Sequence, residues 1–232
     1  MCMDLKQRPE HSRQKTDNEY EKKEKIMDLL EIMRNRRSVR KYTSERIDDE
    51  KIETVLQAGM LSASSRGRRP WEFIVVRNRE TLEKMAHSRV AGAAMLKGAD
   101  AAIVVIADPG KCDVWVEDCS IVMANMHLMA DSLGLGSCWI QGRLRMASES
   151  VEMSGDRTES GRQKADDPAE GRRAAEQPSE TTEEYLRKLL GFPESYRLEA
   201  MLSLGMPASH PAPYDLQTVI SEMAGRIHRE VY

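Results

Sequence analysis

The densest group of side chains able to do chemistry is the heptapeptide Arg36-Arg37-Ser38-Val39-Arg40-Lys41-Tyr42. Guanidinium forks and a hydroxyl on neighbouring positions suit a phosphate dianion, because paired charge-assisted hydrogen bonds fix its orientation as well as its charge. The same cations would also complement the macrodipole at the end of a helix, so the run alone does not decide between a ligand site and a solvated face. A second segment, Ser62-Ala63-Ser64-Ser65-Arg66-Gly67-Arg68-Arg69-Pro70-Trp71, combines small residues that a planar ligand could approach, hydroxyls at Ser64 and Ser65, and further cations. Taken alone it reads as a Ser/Gly/Pro loop. A third, Gly134-Leu135-Gly136-Ser137-Cys138-Trp139-Ile140-Gln141-Gly142, looks like half of a dinucleotide fingerprint. It follows a helical pattern and enters a strand, the reverse of the context that fingerprint needs, and it lacks the third glycine, so Rossmann-type binding is excluded.

No other catalytic set stands out. His11, His87, His127, His210 and His228 are scattered, and neither GxSxG nor HExxH occurs. His127 falls inside a long helical pattern and reads as a structural residue. Cys2, Cys112, Cys119 and Cys138 are too few and too widely spaced for a disulfide framework, and no CxxC or CxxH pair offers a metal hook. A reducing cytoplasm and no metal site are the expectations.

The elements that must position these segments follow from apolar periodicity. Ile26, Leu29, Leu30 and Met33 recur at helical spacing, as do Ile52, Val55, Leu56 and Gly59 after a possible N-cap at Asp48. Residues 73–76 and 101–106 are β-branched runs, the second closed by Asp108-Pro109-Gly110, and read as central strands. From Trp115 onward, Cys119, Val122, Met126, Met129 and Leu133 hold one helical face until Gly134, which predicts the longest helix. Residues 138–141 make a strand, Thr181-Thr182-Glu183-Glu184 can form a capping box for a helix to Leu190, and 198–204 make another strand before Pro207. The order α, α, β, α, β, α, β, α, β, α belongs to an α+β or α/β fold.

Composition sets the limits. The chain has 232 residues, 35 Lys and Arg against 38 Asp and Glu, a net charge of −3 and 40% hydrophobic residues, as a globular domain would. Near-balanced charge argues against an extended nucleic-acid surface. The longest apolar run, 101–107, falls far short of the ~20 residues that cross a bilayer, and the opening MCMDLKQRPEHSRQK has no apolar h-region, so neither a membrane span nor a secretory signal is expected. Residues 1–25 are a charged tail with little to bury, and 148–182 hold only Val151 and Met153 as large apolar groups, which predicts a disordered insertion. What remains, 26–147 and 181–232, is expected to form one domain.

Order and spacing together, RRSVRKY, a helix, SASSRGRRPWEFIVV, a strand, the long helix, GLGSCWIQG and TTEEYLRKLLGFPESYRLEAMLSLGMP, resemble the FMN-dependent nitroreductase family. The resemblance spans about 26–145 and 181–228 and omits the tail and the insertion. It implies an α+β fold with a central, mostly antiparallel sheet flanked by helices, in a homodimer with FMN at the subunit interface. It also implies an enzyme that passes electrons from NADH or NADPH through FMN to a nitroaromatic, quinone or similar small acceptor.

Carried over by position, Arg36, Arg37, Ser38 and Arg40 look like the first FMN segment. Arg36 and Ser38 would hold phosphate and ribityl oxygens, and Arg40 would face the N1 and C2 carbonyl edge, where a fixed cation stabilises the negative charge that reduction brings. Ser64 and Ser65 would reach the cofactor from the partner chain. Here Ala63-Ser64 stands where the family usually has Pro-Ser, and Gly67 where it usually has Asn. Trp139, Ile140, Gln141 and Gly142 look like the stretch that runs along the flavin ring, and Arg226 is the nearest candidate for a further phosphate ligand. The same fold is similar to that of flavin reductive dehalogenases and flavin-destroying enzymes. A non-catalytic flavin-binding module is the alternative from a different class.

Overall fold

A computed structural model describes residues 29–148, 180–223 and 225–230. In chain order these form α1 (Leu29–Asn35), α2 (Asp49–Met60), β1 (Trp71–Val76), α3 (Arg79–Met85), β2 (Ala101–Ala107), α4 (Trp115–Ser132), β3 (Gly136–Gln141), α5 (Thr182–Leu190), β4 (Arg197–Gly205) and α6 (Leu216–Met223), with short 3-10 turns at Ser65–Gly67 and Ala94–Lys97. The strands pair antiparallel throughout, in the order β1-β2-β4-β3. This is the α+β arrangement that the family resemblance implies, and it decides between the two classes that the element order left open.

Every residue of β2 is buried, as the unbroken apolar run at 101–107 requires, because a strand covered on both faces must lie between two layers. Ile103 and Val105 pack with Val55, Cys119, Val122, Met123 and Met126 on the face covered by α2 and α4. Ala102, Val104 and Ile106 pack with Leu82, Met85, Leu186 and Met201 on the face covered by α3 and α5. The heptad-like stripe read from Trp115 onward is therefore the seam along which α4 grips the sheet.

Local signals place the ends. Thr181 and Glu184 form the expected capping box, with Glu184 N donating to Thr181 Oγ1 at 3.1 Å and Thr181 N to Glu184 Oε2 at 2.8 Å. Asp48 stands at the N-cap of α2, but its side chain makes no capping bond. β1 and β3 each begin two residues before the expected start, because Trp71 pairs with Ala107 and Gly136 with Gly205. α1 buries none of its residues: Leu29, Leu30 and Met33 sit on the surface of the chain.

The tail 1–25 lies outside the described residues, as does most of the predicted insertion. The insertion's ends do not. Ala147 N donates to Glu180 O at 3.0 Å, Thr182 N to Arg145 O at 2.9 Å, and the buried Thr182 gives its hydroxyl to Ser88 O at 2.7 Å. Thr181 and Thr182 thus belong to the start of α5. Among the described residues no helix is long and apolar enough to cross a membrane.

Candidate functional site

The basic heptapeptide leaves α1 and lies against the edge of the sheet. Val39 N donates to Ser137 O at 2.9 Å in a parallel bridge between Ser38 and Ser137, and Thr43 N donates to Met206 O at 2.8 Å beside the bridge from Tyr42 to Pro207. Val39 is buried while Arg40 is exposed and Ser38 half-buried, the alternation of an extended segment with one face on a core. The fit depends on Gly136, where a Cβ would stand 2.7 Å from Val39 Cγ1.

Arg36 is held by a side chain that sequence reasoning set aside as structural. Its Nη1 lies 3.0 Å from His127 Nε2, and His127 Nδ1 bonds Ser137 Oγ. A guanidinium can only donate, so Nε2 must be the acceptor and the proton must sit on Nδ1, facing Ser137. Burial, with the Arg36 charge beside it, pushes the His127 pKa down to about 4, which keeps the imidazole neutral and available as that acceptor. One turn further along α4, the buried Asp131 accepts from Asn35 Nδ2 at 2.9 Å and faces His210 Nε2 at 3.4 Å. The end of α1 is thus docked on α4 through two polar contacts at i and i+4, a spacing legible as one helix face.

Arg36, Ser38 and Arg40 converge on Cys138. Burial raises the thiol pKa, and Arg40, a Ser38 hydrogen bond and Arg36 each counter that rise. Among the described residues no carboxylate forms an ion pair with Arg36 or Arg40. Arg37 is turned elsewhere: it donates to Ala212 O at 2.6 Å and stacks 4.4 Å from the centre of the Tyr214 ring, tying the C-terminal segment to α1.

The second segment lies at the other end of the sheet. Ser64 Oγ accepts from Arg69 N at 3.0 Å, and Ser65 N donates to Asp118 Oδ1 at 2.8 Å, near the start of α4. Asp118 and His127 are separated by nine residues of helix, about 14 Å, so within one chain these serines do not join Arg36. Gly67 has φ +67°, a region that Asn is the most tolerant of the non-glycine residues in adopting, and nothing lies within 4 Å of where its Cβ would be. The glycine therefore serves the backbone that an Asn would serve and lacks only the amide.

The third segment is β3 and its exit. Trp139 Nε1 donates to Gln141 Oε1 at 2.9 Å, which holds both side chains against one another on the α4 side of the strand. Ile140 points into the opposite core, so it has only main-chain atoms to offer a ligand. Gly142 N and Arg143 N both donate to Glu199 O, at 3.2 and 2.9 Å. Arg226, the predicted extra phosphate ligand, pairs instead with Glu222 one turn away at 3.0 Å. The structure therefore brings Arg36, Ser38 and Arg40 together with β3, turns Arg37 towards the C-terminal segment, leaves Ser64 and Ser65 at the other end of α4, and pairs Arg226 with Glu222.

Comparison with known proteins identifies the fold and the family. The family model described as the nitroreductase family matches residues 33–91 and 87–154. An Archaeoglobus fulgidus protein, provisionally named NADH dehydrogenase/NAD(P)H nitroreductase, is 36% identical over 207 residues, covering 88% of this chain and 98% of that protein. A solved FMN-dependent nitroreductase from Clostridium difficile R20291 superposes with a TM-score of 0.71 at 32% identity, over 88% of this chain and 99% of its own. A solved Parabacteroides distasonis structure, with the same provisional name as the archaeal protein, gives 0.66 at 31% identity over 88% and 98%. A family match over more than half of the chain and relatives that cover nearly nine-tenths of it lead to one conclusion: this chain belongs to the nitroreductase family.

Proposed function

We propose that the protein is an FMN-dependent oxidoreductase that takes electrons from NADH or NADPH and passes them to a small acceptor of the nitroaromatic or quinone type. One observation carries this reading. The Ser38 to Ser137 bridge lays Arg36 and Arg40, two cations without carboxylate partners among the described residues, along the same sheet edge as residues 139–142. Cations held there by a neutral histidine and by a main-chain carbonyl, with no anion among the described residues to satisfy them, fit a terminal phosphate and an electron-rich ring edge. Bound there, FMN supplies the redox chemistry. Arg36 and Ser38 would hold its phosphate and ribityl oxygens, Arg40 would stabilise negative charge at the ring edge, and the main chain of 139–142 would line the ring. Arg37 acts one step back, by fastening the C-terminal segment.

Purified protein should be yellow, should release FMN and not FAD on denaturation, and should bleach rapidly in stopped-flow mixing with NADH or NADPH. Flavin that binds but stays oxidised in both would defeat the enzyme reading and leave a binding module.

A homodimer is part of the proposal. Leu29, Leu30, Met33 and Leu61 are exposed, and a groove of about 230 Å³ runs between α1, α2 and α4, lined by Ile32, Leu61, Leu128 and Met129. Exposed α6 adds Val219, Ile220 and Met223. Exposed apolar side chains that line a groove are the mark of an interface. A second copy there would supply the Ser64 and Ser65 hydroxyls that one chain cannot bring to Arg36. Subunit association and FMN binding are then linked, so dilution that yields monomer should release flavin in parallel. Monomers that keep one FMN each would rule out the shared site.

A further inference from the structure

Where β3 ends, the chain makes a turn, Gly142-Arg143-Leu144-Arg145, that is fastened on both sides. β4 carries an extra residue at this point: Ala200 pairs with Val105 and Leu198 with Ile106, and the carbonyl of Glu199 between them accepts from Gly142 N and Arg143 N at 3.2 and 2.9 Å. Beyond the turn, Arg145 O accepts from Thr182 N at 2.9 Å, and Met146 forms an antiparallel bridge with Thr181. Leu144, inside the turn, has φ +57° and is 81% exposed. A bulky side chain is strained in the left-handed region, and this one recovers little by burial. What the turn achieves is to set Arg143 and Arg145 on the wall of one cavity.

That cavity, of about 1060 Å³, lies between the turn, Trp115 at the start of α4, and α5 with the loop that follows it. It begins at Gly142, the residue that also ends the stretch assigned above to the flavin ring. Five cations and three carboxylates line it, and on the α5 side the charges are mostly spent on one another. Arg187 pairs with Glu183 at 2.7 Å, Lys188 with Glu180 at 2.6 Å, and Arg197 reaches Glu183 at 3.8 Å, while Glu184 is held by its capping box. Glu194 is the lining carboxylate without an ion pair among the described residues.

The turn is different, because among the described residues neither Arg143 nor Arg145 forms an ion pair. The Arg143 guanidinium lies over the Trp115 ring, 5.8 Å from its centre. It also acts on the buried Glu199 carboxyl, where it counters the rise that burial gives the pKa. Arg145 has another cation beside it: burial lowers the Arg89 pKa, and the Arg145 charge lowers it further. Like charges held close with no anion between them are a site prepared for an anion.

A one-ring acceptor would fill only part of such a space, and an uncharged one would leave both guanidinium groups unmatched. The electron donor is large and anionic. NADH and NADPH share a pyrophosphate, and NADPH alone carries a phosphate monoester on its adenosine ribose, the dianion that guanidinium forks bind best. Resting on the flavin reading above, we infer that Arg143 and Arg145 bind the 2′-phosphate of NADPH and that this cavity selects NADPH over NADH.

The test has two arms. In stopped-flow and steady-state assays of the holoenzyme, wild type should favour NADPH over NADH by about tenfold or more in kcat/KM, chiefly through KM. Arg145→Gln and Arg143→Gln should each remove most of that preference, Arg143→Lys should fall between, and Arg145→Glu should reverse it. In the second arm, calorimetric titration of flavin-free protein with adenosine 2′,5′-bisphosphate and with adenosine 5′-monophosphate reads the cavity without redox chemistry. The bisphosphate should bind about tenfold more tightly, and the difference should collapse in Arg145→Gln and shrink with added salt. A wild type indifferent to the 2′-phosphate in the titration overturns the inference, as do variants that weaken both donors, or both nucleotides, in equal measure. Should Arg143→Gln not fold, the variants at the exposed Arg145 decide alone. Protein that never binds FMN would instead defeat the flavin reading, and the titration would still decide whether the cavity takes a 2′-phosphate.

Discussion

Replacing Arg36 with alanine is expected to weaken FMN binding by about 100-fold, or about 2–3 kcal/mol, while leaving the fold in place. The size follows from what is lost. A two-pronged charge-assisted contact to phosphate disappears, and the phosphate is left at a site whose other cation, Arg40, faces a different part of the ligand. The fold should survive because, among the described residues, the Arg36 side chain hydrogen-bonds His127 alone, and His127 keeps Ser137 as its second partner. Arg36→Lys should fall between the two, since it keeps the charge and loses the fork. Fluorescence titration of FMN, with a melting curve on each flavin-free variant, separates affinity from stability. Unchanged affinity in Arg36→Ala would remove this residue from the site.

The His127 contact adds a pH dependence of known sign. Its folded-state pKa, about 4, lies below the ordinary value of 6.5, so the folded state binds fewer protons than the unfolded state between those values. The stabilisation is complete above about pH 6.5 and is lost as pH falls towards 4, on the order of 2–3 kcal/mol for this one group. A His127→Gln variant, which keeps an acceptor amide and cannot charge, should show a flatter acid limb in the melting temperature. An identical limb would mean that other groups set the acid sensitivity.

These two residues mark where the sequence was and was not legible. Arg36, Arg37, Ser38 and Arg40 were visible because four hydrogen-bonding side chains in five positions are unusual and stand next to a helix end. α4 and β2 were visible because burial on one stripe or on both faces leaves a periodic trace, and the bounds found are close to those traces. His127 escaped because its partner is 91 residues away, although His127 and Asp131 on one face of an apolar helix were a usable signal. Glu199 escaped for a different reason. RLEAMLSLG reads as a regular alternating strand, and the bulge that reverses the faces at Leu198 is a property of pairing with β2, which no local pattern encodes. The apolar spacing of α1 predicted a buried face, and in the single chain that face is open, because spacing reports that a surface is to be covered and not by which chain.

A single methyl group at position 136 should dislodge the basic segment. The Cβ of a Gly136→Ala variant would stand 2.7 Å from Val39 Cγ1, 3.0 Å from Val39 Cβ and 3.2 Å from Tyr42 Cε1. Neither neighbour can step aside. Val39 is 1% exposed, and Tyr42 is pinned through its hydroxyl to Val39 O and Ser203 Oγ, both at 2.8 Å. Overpacking of this kind costs about 1–3 kcal/mol, which in a domain of this size lowers the melting temperature by roughly 2–12 °C. The larger consequence is functional, since Arg36, Ser38 and Arg40 all ride on the segment that Val39 anchors to Ser137. A shift of the segment off the β3 edge moves every proposed phosphate and ring-edge contact at once, so FMN affinity should fall at least tenfold, about 1.4 kcal/mol, without any ligand contact having been mutated. Val39→Ala added to Gly136→Ala removes the clashing methyl groups. If the clash is the cause, the double variant should recover FMN affinity relative to Gly136→Ala, even though the vacated core space keeps its melting temperature low. Recovery of stability without recovery of affinity would mean instead that the segment does not carry the cofactor contacts, and that the cations at 36 and 40 serve the surface alone.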